Sequence, residues 1–421
     1  MHKTMINHEL PLIYYGAGQA AEREIETSPN LLRGVCFIDK DENKHGKTHI
    51  GLPILSMDEA TNKYGRFNLF VTVARHNKAA VFEYLIGIGI KREEIINYEE
   101  TYYYGCCDLE ENLIYTETKL FACCEGAEGR LRPPELYWKD NIEETILDFL
   151  ALKERTVETL KKGEKTSCDG CPNLKKYVGT PENKIKLVCH GIAAPCQLSC
   201  YYCNAQERYP ENKNITQLNA LEFARVLKFL ESENLISKDA TLVLAEGEPT
   251  IHPQLDDFYE AAERYRINCS TNGVLFDKRL ADLLATGRGS INVSVDSGTE
   301  ETYRKVKGLD AFNKVWENIT NYANTGANVS VKYIFLPENC NDNDIIGFVD
   351  NATKSGVQSI QLSRNLSDQN ANEFEILYAA KMMNLARAAG INIGFAGYFS
   401  KPEADSIYKM AEELMRRDDA K

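Results

Sequence analysis

From residue 185 onward the chain repeats one pattern, a short apolar segment followed by a longer amphipathic one. Six segments predict strands, and they read KIKLVCHGI, ATLVLAEGE, INCSTNG, SINVSVD, NVSVKYIF and SIQLS. Segments between them, such as ALEFARVLKFLESEN and DKRLADLLATG, carry apolar residues at helical spacing. Six such units predict parallel strands joined by right-handed crossovers. Such units could form either a partial TIM-like barrel or an open sheet. In both arrangements the catalytic and binding residues lie at the carboxyl ends of the strands.

The first hundred residues show the same alternation on a smaller scale. LPLIYYGAGQAAEREI predicts a buried strand, a tight glycine turn and a helix. The turn fits G-x-G-x-x-A through Gly16, Gly18 and Ala21, and Asp39 ends the second strand where dinucleotide-binding folds contact a ribose. We expect a small Rossmann-like module that binds a nucleotide or nucleotide-linked substrate. The alternative is a degenerate module that serves packing or partner binding.

The net charge of the chain indicates which classes of binding partner it does not favour. The 421 residues carry a net charge of −13, with an isoelectric point near 5.2. This argues against nucleic-acid binding, which needs clustered Lys and Arg, and against docking on an anionic membrane. The chain shows no signal-peptide core and no run near the ~20 apolar residues of a membrane span. These features predict a protein of the reducing cytoplasm.

Cysteines are concentrated in the middle of the chain, where ten of the thirteen fall between residues 106 and 203. In a reducing compartment such clusters bind metal or carry out redox chemistry more often than they form disulfides. The segment CQLSCYYC places Cys196, Cys200 and Cys203 in one compact loop after the first strand of the third region. Thiolates suit iron–sulfur clusters and zinc, but zinc usually takes four protein ligands. The triplet is one ligand short of that number.

This triplet, with an aromatic residue just before its last cysteine, resembles the signature of the radical SAM enzymes. The resemblance covers about residues 185 to 400. EGEPTIHP is similar to the family's Gly-Gly-Glu-Pro motif, which offers backbone acceptors to the methionine ammonium group, although Glu246 replaces the first glycine. The later strands carry STNG, SVDSG, VKYIF and QLSRN in the family's order. The resemblance implies contacts with S-adenosylmethionine (SAM) by Tyr202, Gly247, Glu248, Pro249, Asn272, Ser294, Asp296 and Lys332.

The roles that the resemblance implies differ along these strands. Ser294 and Asp296 would point toward the ribose or the substrate. Lys332 would pair with the methionine carboxylate, and QLSRN would lie near the adenine. The implied fold is α/β, with a partial (β/α)6 barrel.

The resemblance also implies a cofactor and a mechanism. Three cysteines would bind three irons of a [4Fe-4S] cluster, and SAM would chelate the fourth iron. One electron from the reduced cluster would give methionine and a 5′-deoxyadenosyl radical, which removes hydrogen from an unreactive C–H group. A flavodoxin- or ferredoxin-like protein would supply the electron.

Residues 101 to 184 contain GCCDLEENLIYTETKLFACC and CDGCPNL. They resemble the SPASM or twitch auxiliary-cluster modules, although such modules usually follow the radical SAM domain and have a glycine at the position of Thr118. The resemblance implies a second [4Fe-4S] cluster on Cys107, Cys123, Cys168 and Cys171, with Cys106 and Cys124 as alternatives. A structural zinc with the same ligands is the rival, and a site without metal is the third possibility.

Four cysteines lie outside both sets. Cys36 and Cys189 fall in predicted strands, as small core residues. Cys269 lies near the end of the third strand and Cys340 follows the fifth. Either of these two thiols could return a hydrogen atom to a substrate radical, as in radical epimerases.

We expect a Rossmann-like module in residues 1–100, an auxiliary-cluster module in 101–184 and the barrel in 185–421. The leading hypothesis for the substrate is a small carbohydrate or nucleotide-linked molecule that is oxidised, dehydrated or epimerised. Peptide maturation and non-catalytic electron transfer are the alternatives.

Overall fold

The computed structural model describes the chain in separate stretches. They are residues 10–27, 34–98, 102–116, 119–123, 134–171, 173–179, 184–190, 196–203, 219–244, 247–252, 255–365, 370–396 and 399–419. Thr118, Cys124 and Glu246 lie outside these stretches.

The chain divides into two compact units. The first comprises Met1–Glu110, Cys124–Pro134 and Leu150–Asn183, and the second comprises Glu111–Cys123, Glu135–Phe149 and Lys184–Lys421. Residues 101–184 contribute to both units, and the three-part division stays a prediction.

A five-stranded sheet organises the first unit, in the order β3-β4-β2-β1-β5. All neighbours pair in parallel except β3 and β4. The elements are β1 (Leu12–Tyr15), α1 (Gln19–Thr27), β2 (Gly34–Ile38), β3 (Thr48–His49), β4 (Leu52–Leu55), α2 (Met57–Tyr64), β5 (Asn68–Val71) and α3 (Arg75–Gly87). Single 3₁₀ turns occur at Glu42–Lys44 and Arg92–Glu94. The predicted small parallel α/β unit is therefore present.

Short elements follow in the cysteine-rich region. They are β6 (Tyr102–Gly105), α4 (Cys107–Glu111), β7 (Asn112–Tyr115), β8 (Lys119–Phe121), β9 (Glu135–Tyr137), α5 (Ile142–Lys161) and β10 (Lys175–Val178). β7 and β8 pair antiparallel and form a hairpin. β6 and β10 form a separate antiparallel pair in the first unit.

The second unit is built on a sheet with the order β17-β16-β15-β14-β13-β12-β11-β7-β8-β9. Its strands are β11 (Ile185–His190), β12 (Ile236–Leu244), β13 (Arg266–Thr271), β14 (Gly289–Ser294), β15 (Asn328–Phe335), β16 (Ser359–Arg364) and β17 (Asn392–Phe395). The six predicted strands are all present, and β17 and β7 extend the parallel part at its two ends. No local sequence pattern indicates that β7 joins this sheet.

Helices alternate with these strands. They are α6 (Asn219–Ser232), α7 (Leu255–Ala262), α8 (Lys278–Ala285), α9 (Glu300–Lys307), α10 (Phe312–Asn324), α11 (Asp342–Lys354), α12 (Glu373–Ala388) and α13 (Lys401–Asp419), with a 3₁₀ turn at Pro249–Ile251. Side chains that favour N-caps start several of them. Asp277, Thr299 and Asn341 accept backbone hydrogen bonds at the starts of α8, α9 and α11.

The two faces of this sheet differ in chemistry. The strands β11 to β17 follow one another in chain order, and right-handed crossovers then place the connecting helices on one face. Val293 and Tyr333 belong to that helix-covered face, where Tyr333 lies 4.7 Å from the ring of Phe348 in α11. Side chains alternate along a strand, so Asn292 and Lys332 belong to the opposite, open face and are only half-buried. The open, polar face is therefore the one that a ligand could contact.

None of the helices in the described stretches is both long enough and apolar enough to cross a membrane.

Candidate functional site

The cysteine loop lies at the carboxyl edge of the sheet, where β11 leads into Cys196–Cys203. Cys196 and Cys203 are exposed and Cys200 is half-buried. Cys200 and Cys203 share a tight turn, because the Cys203 amide donates to the Cys200 carbonyl at 3.0 Å. The sequence-predicted triplet therefore forms one local group.

Asn272, directly after β13, fixes the start of this loop. Its Nδ2 donates to Cys196 Sγ at 3.5 Å and to Gln197 Oε1 at 3.2 Å. Next to it, Gly273 has φ +74°, and a Cβ there would lie 2.6 Å from Val293 Cγ1. Only glycine fits this turn without strain. The turn at the end of β13 therefore places the Asn272 side chain beside the cysteine loop.

The end of α9 fixes the middle of the loop. The Ser199 amide donates to the Lys307 carbonyl at 3.1 Å. Gly308 ends the helix in the left-handed conformation, with φ +70°, and a Cβ on it would lie 2.0 Å from Ser199 Oγ. The sequence analysis missed this contact, although the Lys-Gly pair at a predicted helix end is a recognisable C-cap signal.

Tyr202 anchors the end of the loop through a buried polar triad. Its hydroxyl donates to Asp296 Oδ2 at 2.6 Å and accepts from Lys307 Nζ at 2.7 Å. Lys307 also forms an ion pair of 2.5 Å with Asp296, and the two side chains are 2% and 0% exposed. Such a pair is stable inside a protein only when further hydrogen bonds satisfy both charges.

Asp296 does not have the position expected of a SAM or substrate contact. Its Oδ1 accepts from the Ile334 amide at 2.8 Å, and its Oδ2 is taken by Tyr202 and Lys307. Burial acts to raise its pKa, but the Lys307 and Lys332 ammonium groups outweigh burial and hold the pKa below its usual range. Asp296 is thus an ionised positioning residue that orients Tyr202.

The backbone of Asp296 is strained in a way that supports this role. Its φ is +58°, which few non-glycine residues adopt. Asn339 Nδ2 holds this conformation by donating to the Asp296 carbonyl at 2.9 Å and to the Ile334 carbonyl at 2.8 Å. Strain of this kind persists where surrounding contacts over-determine it, often at functional sites.

Glu248 is also a positioning residue in this structure. Its side chain is fully buried and accepts hydrogen bonds from the Asn272 amide and the Thr271 hydroxyl, both at 2.6 Å. It therefore joins the turn after β12 to the end of β13, beneath Asn272. Gly247, with φ +58°, and Pro249, in the 3₁₀ turn, flank it. Their predicted contacts with SAM stay predictions.

Lys332 lies on the open face of β15, in register with Ser294 of β14. No described residue forms a hydrogen bond or ion pair with its ammonium group. Burial lowers the pKa of Lys332, and the Asp296 carboxylate opposes that shift. A half-buried ammonium group of this kind can bind a carboxylate.

The donor set of the loop fits an iron–sulfur cluster that keeps one coordination position open. Burial raises the pKa of the half-buried Cys200 thiol, and the thiols of Cys196 and Cys203 add to that shift. Within the described stretches, no three His, Cys, Asp or Glu side chains stand ready to hold a metal ion. Binding of a cluster by these cysteines would require their thiols to lose their protons.

The two cysteines considered as hydrogen donors differ in position. Cys269 is 2% exposed and lies on the helix-covered face of β13, so the expectation that it faces the site is wrong. Cys340 is half-buried in the turn after β15, where burial and the Glu375 carboxylate raise its pKa to about 12. Cys189 is half-buried on the open face of β11, not the core residue expected, and Cys36 is buried as expected.

Three of the predicted auxiliary ligands belong to the first unit. Lys175 of β10 pairs with Gly105 of β6, so Cys106 and Cys107, which follow β6, lie at the same end of this ladder as the Cys168–Cys171 turn. The Cys107 amide donates to the Tyr177 hydroxyl at 3.0 Å. Cys123 belongs to the second unit. The auxiliary cluster stays a prediction.

The glycine turn of the first unit lies between β1 and α1. Gly16 has φ +108°, a Cβ on Gly18 would meet no neighbour within 4 Å, and Ala21 is buried. Asp39 departs from the expected ribose contact, because its Oδ2 accepts from the Ala17 amide at 2.8 Å and pairs with Lys44 at 2.9 Å. Asp39 thus holds the turn closed from within the protein.

Replacing Gly308 by alanine should cost more stability than the same change at Gly326, which also ends a helix, with φ +82°, but has open space around it. Backbone strain alone predicts about 1 kcal/mol for Gly326→Ala, and overpacking against Ser199 adds about 1–3 kcal/mol for Gly308→Ala. Urea unfolding of both variants measures the difference. Ser199→Ala should recover part of the excess, and equal costs at the two glycines would contradict this contact.

Comparison with known proteins places one domain of the chain. The family model described as the radical SAM superfamily matches residues 193–352. Among curated proteins, a probable GTP 3′,8-cyclase of Saccharolobus islandicus is 28% identical over 170 residues, which is 40% of this chain and 53% of that protein. A GTP 3′,8-cyclase of Desulforamulus reducens is 31% identical over 128 residues, 30% of this chain and 38% of that protein. The chain spans about half the length, or less, of these relatives.

Solved structures give a weaker likeness. Streptococcus suis SuiB bound to S-adenosylmethionine aligns over 66% of this chain and 58% of that chain, with 15% identity and a TM-score of 0.41. A TM-score at this level carries no argument about the present chain.

Proposed function

We propose that this chain, which carries a radical SAM domain over residues 193–352, is an enzyme that cleaves SAM reductively and abstracts hydrogen from a carbohydrate or nucleotide-linked substrate. The observation that carries the proposal is the cysteine loop, fixed at three points. Asn272 holds its start, the Lys307 carbonyl its middle and the Tyr202–Asp296–Lys307 triad its end. Three thiols on one braced loop suit a cluster whose fourth iron remains available to a ligand.

Each group at the carboxyl edge has a distinct task in this proposal. Cys196, Cys200 and Cys203 would hold the [4Fe-4S] cluster, which when bound supplies the electron that splits SAM into methionine and the 5′-deoxyadenosyl radical. Lys332 would bind the methionine carboxylate. The chemistry supplied by the bound cofactors would remove one hydrogen atom from a substrate C–H bond, with 5′-deoxyadenosine as the co-product. The sheet and its braced loop limit motion of the groups around that radical.

Two observations support the substrate class. The curated relatives named GTP 3′,8-cyclase act, by name, on a nucleotide. The first unit carries a glycine turn after β1, beside the switch point between β1 and β5 where open α/β sheets bind ligands. Peptide maturation and electron transfer without catalysis are the competing functions.

The test is anaerobic reconstitution of the full chain with iron and sulfide, followed by dithionite and SAM. We expect 5′-deoxyadenosine and methionine in equal amounts, and faster formation when a substrate of the proposed class is added. A protein that assembles its cluster but forms no 5′-deoxyadenosine would be an electron carrier, and stimulation by peptides alone would establish the peptide alternative.

The auxiliary cluster is a separate part of the proposal, on Cys107, Cys123, Cys168 and Cys171. Two [4Fe-4S] clusters predict about eight irons per chain after reconstitution. Four irons with one zinc would instead indicate a structural zinc site. Cys168→Ala together with Cys171→Ala should remove about four irons and leave the spectrum of the first cluster unchanged.

A further inference from the structure

Two rows of polar side chains cross the open face of the sheet in the second unit. The upper row consists of Ser294, Lys332 and Gln361, which are in register on β14, β15 and β16. The lower row consists of Ser270, Asn292, Ser330 and Ser359, in register on β13 to β16. All seven side chains are half-buried.

This polarity is unusual for a parallel sheet. Strands of such sheets are normally apolar on both faces because helices cover both. Here the other face of the same strands is apolar and buried, as Ile291, Val329 and Val331 show. The polar face must therefore be adjacent to water or to a polar ligand, since it lacks the packed apolar layers that fill a closed barrel.

The lower row is neutral and has hydrogen-bonding capacity to spare. Ser330 Oγ donates to Asn292 Oδ1 at 3.1 Å, which fixes the amide and leaves its Nδ2 group directed away from that bond. Neither Asn292 Nδ2 nor the Ser270 hydroxyl forms a hydrogen bond with any described residue. The row thus presents donors and acceptors together without a charge.

The upper row differs from the lower by its charge. Lys332 is the one charged side chain in the two rows. In the proposed function its ammonium group binds the methionine carboxylate of SAM. A triphosphate or a charged peptide side chain would find no counter-charge in the lower row. An uncharged ring bearing several hydroxyl groups would exchange hydrogen bonds with Ser270, Asn292 and Ser359.

We infer that the lower row is a substrate subsite for a neutral, polyhydroxylated ring. This inference rests on the proposed function and makes its substrate class specific. The row lies on the same face as Lys332, one same-face position nearer the amino ends of the strands. Such a ring could be a hexose or the ribose of a nucleotide, and the chemistry shared by both is the hydroxyl-rich ring.

The experiment measures binding to the reconstituted holoenzyme with SAM present, by anaerobic calorimetry. The probes are a panel of nucleoside diphosphate hexoses, the matching nucleoside diphosphates without hexose, guanosine triphosphate and a neutral peptide. We expect a hexose-bearing probe to bind, and Asn292→Ala and Ser270→Ala each to weaken it about tenfold, the effect of one lost hydrogen bond. Equal binding of the diphosphate without hexose would assign the row to the ribose.

The matched control is Asn268→Ala. Asn268 accepts from Ser290 Oγ at 3.1 Å, so it forms the same kind of cross-strand pair one row farther from Lys332, at an exposed position. We expect this variant to bind the probe as the wild type does. Thermal unfolding of all three variants separates lost contacts from lost folding.

Two results would overturn the inference. One is unchanged probe affinity in both Asn292→Ala and Ser270→Ala. The other is a wild-type protein that prefers the peptide or binds none of the hydroxylated probes. Failure of the proposed function looks different, because the wild type would then form no 5′-deoxyadenosine whatever it binds.

Discussion

Cys200→Ala abolishes 5′-deoxyadenosine formation, down to the level of protein without iron. In the proposed function Cys200 is the central ligand of the triplet, and the two remaining thiolates could not hold three irons of a cluster. The loop should keep most of its shape, because the Asn272 contact with Cys196 and the hydrogen bond from the Ser199 amide to the Lys307 carbonyl do not involve the Cys200 sulfur. The measurement is chromatographic detection of 5′-deoxyadenosine after anaerobic reconstitution, with iron counted in the same samples.

Cys269→Ala is the matched control for this variant. It removes a thiol from the same unit, but from the buried, helix-covered face of β13. We expect it to keep its iron and to form 5′-deoxyadenosine. Turnover that survives in Cys200→Ala would refute the assignment of the triplet, and loss in both variants would indicate a general folding defect.

Lys307→Met destabilises the protein by about 3–5 kcal/mol, the usual cost of breaking a buried ion pair from one side. Lys307 is 1% exposed, and its removal leaves the Asp296 carboxylate buried without its ammonium partner. Tyr202 loses a hydrogen-bond donor in the same step, so the end of the cysteine loop loosens. Urea unfolding measures the stability, and the electron paramagnetic resonance spectrum of the reduced cluster reports on the loop.

Lys305→Met is the control on the same helix. Lys305 pairs with Glu301 at 2.7 Å, and both side chains are mostly exposed. Exposed pairs contribute little, so we expect no measurable loss. Adding Asp296→Asn to Lys307→Met should recover part of the stability, because the network then holds no unpaired charge. A loss in Lys307→Met no larger than in Lys305→Met would contradict the buried triad.

The deficit of Lys307→Met should depend on pH. Lys307 is one of the groups that hold the pKa of Asp296 below its usual range, so its removal raises that pKa in the folded protein. The unfolded chain has the same Asp296 in both proteins. The deficit therefore grows as the pH rises from the lowered Asp296 pKa of the wild type to the raised Asp296 pKa of the variant, and it stays constant above that pKa. A deficit independent of pH would indicate lost packing alone.

The sequence determined the parts of this protein that depend on local patterns. Six strands were predicted from apolar periodicity, and all six are present in the expected chain order. The spacing of Cys196, Cys200 and Cys203 predicted one loop, because three or four residues cannot take the chain far from a strand end. The turn at Gly16 was also predicted from the sequence, and its positive φ is a conformation that favours glycine.

The tertiary structure decided what those residues contact. Asp296 looked like a ligand contact, but packing encloses its carboxylate between Tyr202 and Lys307. Asp39 was expected at a ribose and instead binds the Ala17 amide and Lys44. A sequence motif fixes the position of a side chain along a strand, whereas its partners come from elements distant in the chain. Lys307 and Asn339 were missed for the same reason.

Sheet assembly was also beyond the sequence. β7 pairs with β11 across about seventy residues, and no local pattern specifies such a partner. Cys269 and Lys332 were both expected to face the site, yet they lie on opposite faces of the sheet. Alternation along a strand shows which residues share a face. Which of the two faces is covered depends on where the helices pack. Local sequence therefore determined the elements and the cysteine loop. Long-range packing decided which face is open and which charged groups are buried, because those depend on contacts between distant segments.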